Sequence, residues 1–591
     1  MIKPLRPSAP ARLAGVLIVV ALAPLWLVGI FGRGLWTPDE PREADIAWRM
    51  SLQSDRTLPQ LGGAPFLEKP PLSYWMSAGA LSLFGDSPTA ARAPNLLYAV
   101  IAALSVGALA LALEADAAAA VIAALVAMSA LLTLRVTVWL APDSCLLAGC
   151  ALALLGAWRG YRAPPGVGKA TGYALMHLGA AVGFMAKSAP GWLVPALALL
   201  TVIVWERRWS ELRRWELYAG FCLQALIIGP WLIAVMRTPD GEEALRALFW
   251  HNIVGRFTRV ASPAALDYTS GHHNSPGKYL FELPLYLLPW TFVVAAALMR
   301  AWRKARAPGP PGTPWRFALA ASLPFLAVLS IAATARDVYA APAMLGFGLL
   351  AGLWAHEAQH SPTALDVLAL RLSRWLVLAI AWMLAGALVL LAAAGAGSRL
   401  ACLSAALGTL VIAHAALLRG ARAQRTGDGQ QSLGWTYTAY AGAFCVAALA
   451  ALPIIDGWQD LPTLARRIHA DTAGRSLALL DPDETTIAML DHGLETPVTI
   501  LTSAASPGSA DTAPQVVGAW FAAHGREARV LVLLPGHAPG RLTPWLARFN
   551  RRRPPEGDGE AGRLIASDAA SLVERYQLPQ GRRYALLGPP P

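Results

Sequence analysis

Apolar and polar residues are distributed along this chain in long blocks, not at the short spacings of a soluble domain. Apolar runs occupy residues 13–31, 90–113, 117–134, 143–158, 171–186, 190–205, 216–236, 281–299, 315–333, 338–355, 375–394, 400–418 and 435–454. A helix needs about 20 predominantly apolar residues to cross a bilayer. The pattern therefore predicts an all-α polytopic membrane protein with about 13 transmembrane helices. The basic N-terminus (Lys3, Arg6, Arg12) runs into the first apolar stretch without a small-residue cleavage site, and reads as an uncleaved first span.

Charge orients the spans. With the N-terminus in the cytoplasm, the basic clusters fall on that same side at every second loop. They are Arg159, Arg162 and Lys169; Arg207, Arg208, Arg213 and Arg214; Arg300, Arg303, Lys304 and Arg306; Arg371 and Arg374; and Arg419, Arg422 and Arg425. This is the bias of cytoplasmic loops. A reporter active only outside the cytoplasm is expected to work when fused after Pro591 and to be silent near Lys169. Reversal of both signals would invert the topology and move every candidate residue below to the wrong side.

Three polar segments then lie on the outer side: residues 35–88, residues 237–281, and the C-terminal stretch 456–591. The last changes character, with short apolar strands at Ser476–Leu480, Val498–Thr502 and Arg529–Leu534 between helices at Glu484–Asp491, Gln515–His524 and Pro544–Asn550. The chain divides into a transmembrane domain over 1–455 and an extracytoplasmic α/β domain over 456–591, in which no metal, nucleotide or triad motif stands out. In the first segment, Glu40–Met50 and Pro71–Leu83 are amphipathic and suit helices lying on the membrane surface.

Composition narrows the function classes. Hydrophobic residues make up 55% and charged residues 15% of the 591, where a soluble protein carries about a quarter charged residues. The net charge of +12 belongs to the basic loops, so a nucleic-acid partner is not expected. Cys145, Cys150, Cys222, Cys402 and Cys445 all sit in apolar segments without metal-site spacing.

The chemistry concentrates in the first outer segment. It opens Trp36-Thr37-Pro38-Asp39-Glu40-Pro41-Arg42-Glu43-Ala44-Asp45 and continues at Pro65-Phe66-Leu67-Glu68-Lys69-Pro70-Pro71. Acids at the mouth of a first span are costly without a partner or a task. Further along come Pro142-Asp143, Met185-Ala186-Lys187-Ser188, the stretch His251 to Phe257, His272-His273, Lys278-Tyr279, Leu288-Pro289-Trp290, and Ser330 to Arg336 with Tyr339 and Pro342. In this order and at these depths, the motifs of the first 355 residues or so resemble the GT-C superfamily of polyprenyl-phosphate-sugar glycosyltransferases. Within it they are similar to the ArnT family, and also to the protein O-mannosyltransferases. Two positions depart from the ArnT pattern: Phe66 stands where Tyr is common, and Arg336 where Lys is usual.

The resemblance implies an inverting transferase that moves a sugar, aminoarabinose or another amino sugar, from undecaprenyl phosphate to a lipid A phosphate. It would be a multi-pass protein of the bacterial inner membrane with a periplasmic active face, acting in lipopolysaccharide modification and polymyxin resistance. It would need no cofactor. A departing phosphate needs stabilising charge, and Lys69, Lys187, Arg256 and Arg336 at the outer surface, with Tyr339, are the candidate donor-phosphate ligands. Each is otherwise an interfacial cation snorkelling to headgroups. Asp39 is the candidate base or acceptor-orienting acid, unless it only caps a helix. Asp143 carries the same pair of readings, and Glu68 completes the catalytic set. Glu40, Arg42 and His251 are candidate substrate-positioning residues, although Glu40 and Arg42 also read as a solvated charge cluster. Glu68 and His251 are possible metal ligands, but two residues make no site, and no catalytic metal is expected. His272, His273 and Asn274 suit a polar loop near the acceptor route. A protein O-mannosyltransferase-like activity is the alternative within enzymes, and a transporter or flippase the alternative outside them.

Overall fold

A computed structural model describes residues 9–251, 254, 275, 277–332, 336–494, 498–503, 512–535 and 558–591. All thirteen apolar runs fall on helices. Among the described residues, nine helices are long and apolar enough to cross a membrane, or eleven if each of two bent pairs counts as one span. The other two runs form Val167–Lys187, which carries Lys169 and His177, and the 16-residue Pro190–Trp205. The chain is a multi-pass, all-α membrane protein with a small α/β domain at its C-terminal end.

The bends have a local cause and a mutual remedy. Ala117–Ser129 turns by 68° into Leu131–Val138, and Lys278–Tyr286 by 119° into Thr291–Ala305, where Pro289 interrupts the helix. Broken helices free backbone groups that lipid cannot satisfy. Here the two breaks satisfy each other: Leu131 N donates to Leu288 O at 2.8 Å, and Trp290 Nε1 donates to Ser129 Oγ at 2.9 Å.

Another contact sets the level of the functional residues. Helices Asp143–Arg162 and Val167–Lys187 pack backbone to backbone: a Cβ on Gly156 would lie 2.1 Å from Met176 N, and one on Gly179 2.4 Å from Ala153 N. Small residues permit this approach in membranes. It brings the start of one helix, Asp143, beside the end of the other, Lys187. Lys169, counted above as a basic loop residue, is instead buried in an ion pair with Glu211.

The first span, α1 (Ala9–Ile30), leads into α2 (Glu40–Leu52), then a two-residue ribbon of β1 (Gln60–Leu61) and β2 (Ala64–Pro65), then α3 (Leu72–Phe84). Both amphipathic segments are thus helices, each within two residues of expectation. Gly62 and Gly63 turn the ribbon with φ of 58° and 79°, the positive values a two-residue hairpin favours. The hairpin sends the chain back towards α2, so Glu68 and Lys69 arrive beside Arg42 and Glu43.

The C-terminal domain is built on β3 (Ser476–Leu480), β4 (Thr499–Leu501), β5 (Ala528–Leu533), β6 (Ser571–Gln577) and β7 (Arg583–Gly588), in the order β4-β3-β5-β7-β6. The first three predicted strands form its parallel part, and β7 and β6 extend it antiparallel. Alternation along β5 sends Leu531 to a core with Ile468 of helix Leu461–Asp471. Val530 and Val532 go to the opposite core, with Val517 and Phe521 of helix Ala513–His524. Helix Glu484–Asp491 matches its predicted range, while the expected helix Pro544–Asn550 lies outside the described residues.

This domain docks onto α2. Arg49 Nε donates to Asp491 Oδ2 at 2.5 Å. His492 stacks on Trp48 at 4.7 Å, with Nε2 3.1 Å from Asp86 and Nδ1 3.7 Å from the fully buried Asp45. Burial pushes the Asp45 carboxyl up to about 6. Burial alone would lower His492, but its bond to Asp45 and the charge of Asp86 hold it above its ordinary 6.5. Both groups hold protons more tightly when docked, so both contributions favour docking at low pH and fade as pH rises. Asp45's is lost by about pH 6, and His492's as pH passes its raised value above 6.5. Limited proteolysis of the full chain should show the domain loosening as pH rises through about 6 and on past 6.5. His492→Gln should remove most of that dependence; an unchanged pH response in this variant would discount the histidine.

Candidate active site

The strongest concentration of charge lies where α2, the hairpin and the ends of four spanning segments meet. A small cavity of about 30 Å³ is lined there by Asp39, Arg42, Glu43, Glu68, Lys69, Arg135, Asp143, Lys187, Arg336 and Tyr339, with Trp139 among its apolar walls. Residues separated by up to 300 positions share one space, and eight of the eleven candidates from the sequence are among them.

Each acid in this cavity meets a cation. Asp39 takes both guanidinium nitrogens of Arg336 at 3.2 Å and lies 3.5 Å from Arg42. It stands at the N-cap position of α2, yet its side chain makes no capping bond. The helix-cap reading of Asp39 therefore fails, because the carboxylate is turned to Arg336. Asp143 likewise makes no cap and accepts from Lys187 Nζ at 2.6 Å, while that ammonium sits 4.4 Å from the centre of the Tyr339 ring. Lys69 donates to Glu43 at 2.9 Å and lies 3.3 Å from Glu68. Arg42 donates to Glu43 at 2.7 Å and also to Glu484 of the C-terminal domain. Its guanidinium lies over Phe66 at 5.4 Å, which gives the Tyr-to-Phe departure a packing role.

Electrostatics follow from these pairs. Burial would raise the Asp39 carboxyl, but the charges of Arg336, Arg42 and Lys69 outweigh it and hold the group below its usual range. Glu43 is held down in the same way, by Lys69 and Arg42 against burial. Burial opposes the charge on Lys69, but Glu43 and Glu68 raise it well above its ordinary value. At neutral pH, Asp39 is an anion that accepts and orients hydrogen bonds, and Lys69 is a fixed cation.

Glu40 does not line the cavity. It is completely buried and forms a fork with Arg33 at 2.6 and 2.8 Å, pairs with Arg92 at 3.2 Å, and accepts from the backbone of Trp36 and Leu140 at 2.9 Å each. The solvated-cluster reading is wrong for both Glu40 and Arg42, since Arg42 is only 6% exposed. Arg256 lies outside the described residues; so does the side chain of His251, whose backbone closes the turn Ala247–His251. No group of three metal-ligating side chains occurs among the described residues.

Sequence reasoning missed Glu43, the acid shared by Arg42 and Lys69, although it stands inside the quoted motif. It also missed Arg135, which pairs with Asp337, and Glu484, for which no local signal exists.

A multi-span helical body, a surface-helix loop and a charged cavity at the span ends together define a multi-pass membrane protein with a charged site at one end of its spans. The family model for dolichyl-phosphate-mannose-protein mannosyltransferase matches residues 68–233. The chain is 30% identical over 381 residues to the undecaprenyl phosphate-alpha-4-amino-4-deoxy-L-arabinose arabinosyl transferase of Pseudomonas paraeruginosa, covering 64% of this chain and 65% of that protein. It is 31% identical over 301 residues to the protein of the same name from Edwardsiella ictaluri, covering 49% and 51%. The alignments thus span half to two thirds of these relatives. The crystal structure of ArnT from Cupriavidus metallidurans bound to undecaprenyl phosphate superposes with a TM-score of 0.70 at 20% identity, covering 98% of both chains. The chain is ArnT-like in fold and in sequence, as its motifs implied.

Proposed function

We propose that the chain is a glycosyltransferase that moves an amino sugar, of the 4-amino-4-deoxy-L-arabinose type, from undecaprenyl phosphate to a phosphate of lipid A at the periplasmic face of the inner membrane. The observation that carries this reading is the cavity itself, where Lys69, Lys187, Arg336 and Arg42 face Asp39, Glu43, Glu68 and Asp143. Cations suit the donor phosphate, and acids suit an ammonium-bearing sugar and the oxygen that attacks it. The names of the curated relatives supply the identity of sugar and carrier.

The acceptor phosphate oxygen attacks the anomeric carbon from the side opposite the carrier. The new C–O bond forms as the bond to undecaprenyl phosphate breaks, and that phosphate leaves with the electron pair. Lys69, Lys187 and Arg336 take up its charge through charge-assisted bonds from the N–H groups that their carboxylate partners leave over, with Tyr339 at the rim. Arg256 is the fourth proposed phosphate ligand. An ionised acceptor phosphate gives up no proton, so Asp39, itself an anion, orients the sugar and not a proton transfer. Asp143 sets the position of Lys187, Glu68 that of Lys69, and Arg42 that of Asp39. Glu40 supports the loop, and His251 lies in the segment that follows the cavity.

A protein O-mannosyltransferase-like enzyme is the second reading, favoured by the family model over residues 68–233. Its acceptor is a hydroxyl, which must be deprotonated. Mass spectrometry of lipid A from cells with and without the chain decides between them. Addition of an aminopentose to lipid A is the expected result. Unmodified lipid A together with hexose on serine or threonine of exported proteins would overturn it in favour of the second reading.

A further inference from the structure

The C-terminal domain contacts the cavity's wall from outside, through Arg42. Helix Glu484–Asp491 packs against α2, and its first residue, Glu484, accepts a hydrogen bond from Arg42 Nη1. The neighbouring Thr485 Oγ1 donates to Pro38 O at 3.1 Å, directly before Asp39. The helix is itself pinned: Asp483 caps it by accepting from Thr486 N at 2.9 Å, and receives Arg582 Nη2 at 2.5 Å. Glu484 is therefore presented from a braced position, half-exposed, against an almost fully buried guanidinium.

Four acids share two nitrogens of Arg42, whose buried Nε bonds to none of them. Besides Glu484 the guanidinium meets Glu43 at 2.7 Å, Asp39 at 3.5 Å and Glu68 at 4.0 Å. Nη2 faces these three, whereas Nη1 goes to Glu484. Holding Nη1 on the domain side fixes the plane of the fork. That leaves Asp39 chelated by Arg336 and Glu43 bonded to Lys69. Without the domain's carboxylate the guanidinium can rotate, and Asp39 and Glu68 compete for it.

From this geometry we infer that Glu484 of the C-terminal domain is a positioning residue of the active site, setting the orientation of Arg42 and through it the geometry of Asp39 and Lys69. The inference rests on the transferase reading above. It gives the domain a part in sugar transfer beyond simple attachment to the membrane body.

The test is steady-state transfer by the full chain in proteoliposomes, from undecaprenyl-phosphate aminoarabinose to lipid A, for wild type, Glu484→Gln, Glu484→Asp, Arg42→Lys and the Glu484→Gln/Arg42→Lys pair. Glu484→Gln should lower kcat roughly 10-fold or more with donor KM within about 3-fold, the pattern of a lost transition-state arrangement. Glu484→Asp should recover part of the rate. The double variant should lose less than the product of its single losses, because both act on one fork. Proteolysis of Glu484→Gln should show the domain still docked through Arg49–Asp491 and His492. Equal kcat in Glu484→Gln and wild type overturns the inference alone. A loss matched by domain release, or fully additive with Arg42→Lys, overturns it in favour of plain docking. Wild-type chain that transfers nothing overturns the transferase reading, and this inference with it.

Discussion

Asp39→Asn is expected to abolish sugar transfer while the chain remains folded in the membrane. The substitution keeps the shape and removes the charge that holds Arg336 in a two-bond chelate. Loss of one preorganised electrostatic group at a reacting centre typically costs about 10²–10³ in rate. Two further effects deepen the loss: Arg336 is left with an uncompensated charge, and Arg42 loses its neighbour at 3.5 Å. Stability should change little, because α2 takes no capping bond from this side chain. Transfer of labelled sugar in proteoliposomes, set against protein amount by immunoblot, measures both halves. Substantial turnover in the variant would reduce Asp39 to a counter-ion.

The adjacent acid should behave in the opposite way. Glu40→Gln is expected to deplete folded protein, whatever activity each surviving molecule retains. Glu40 is the common anion between two buried arginines, Arg33 and Arg92, and it closes two backbone amides as well. Removing one partner of a buried ion pair costs about 3–5 kcal/mol, a large share of a typical total near 5–15 kcal/mol. Thermal unfolding of the detergent-solubilised chain should show the drop directly. A melting temperature equal to wild type would mean that Arg33 and Arg92 are satisfied by backbone carbonyls alone.

These neighbours show where sequence reading reaches its limit. Asp39 and Glu40 look alike in the motif, but consecutive residues at a helix start point about 100° apart, and which direction faces the cavity is decided by partners far away. What was legible rests on short-range physics. Apolar runs gave the spanning helices, amphipathic spacing gave α2 and α3, and alternation gave β3, β4 and β5, while helix Leu461–Asp471 was not foreseen. Lys69, Lys187, Arg336 and Tyr339 were singled out because they stand in motifs that resemble the family's, in segments read as outer. Long-range pairing was not: nothing near Arg42 announces Glu484, and nothing near Asp45 announces His492. The strand β6 escaped notice because Glu574, Arg575 and Gln577 make it polar along an edge of the sheet. Its partner β7 had a usable signal in Tyr584-Ala585-Leu586-Leu587, an apolar run that pairs with β5.

The spacing of the ion pairs imposes an order on the birth of the molecule. Asp39 and Arg336 are 297 residues apart, and Arg42 and Glu484 are 442 apart. At ribosomal speeds of about 5–20 residues per second, Asp39 waits roughly 15–60 s for its cation, and Arg42 roughly 20–90 s for Glu484. Throughout that interval Asp39 and Arg42 lack these two partners, while Glu40 already has Arg33 and Arg92, and Glu43 already has Lys69. A nascent chain therefore holds no complete charge cluster until its final domain has been made and packed against α2.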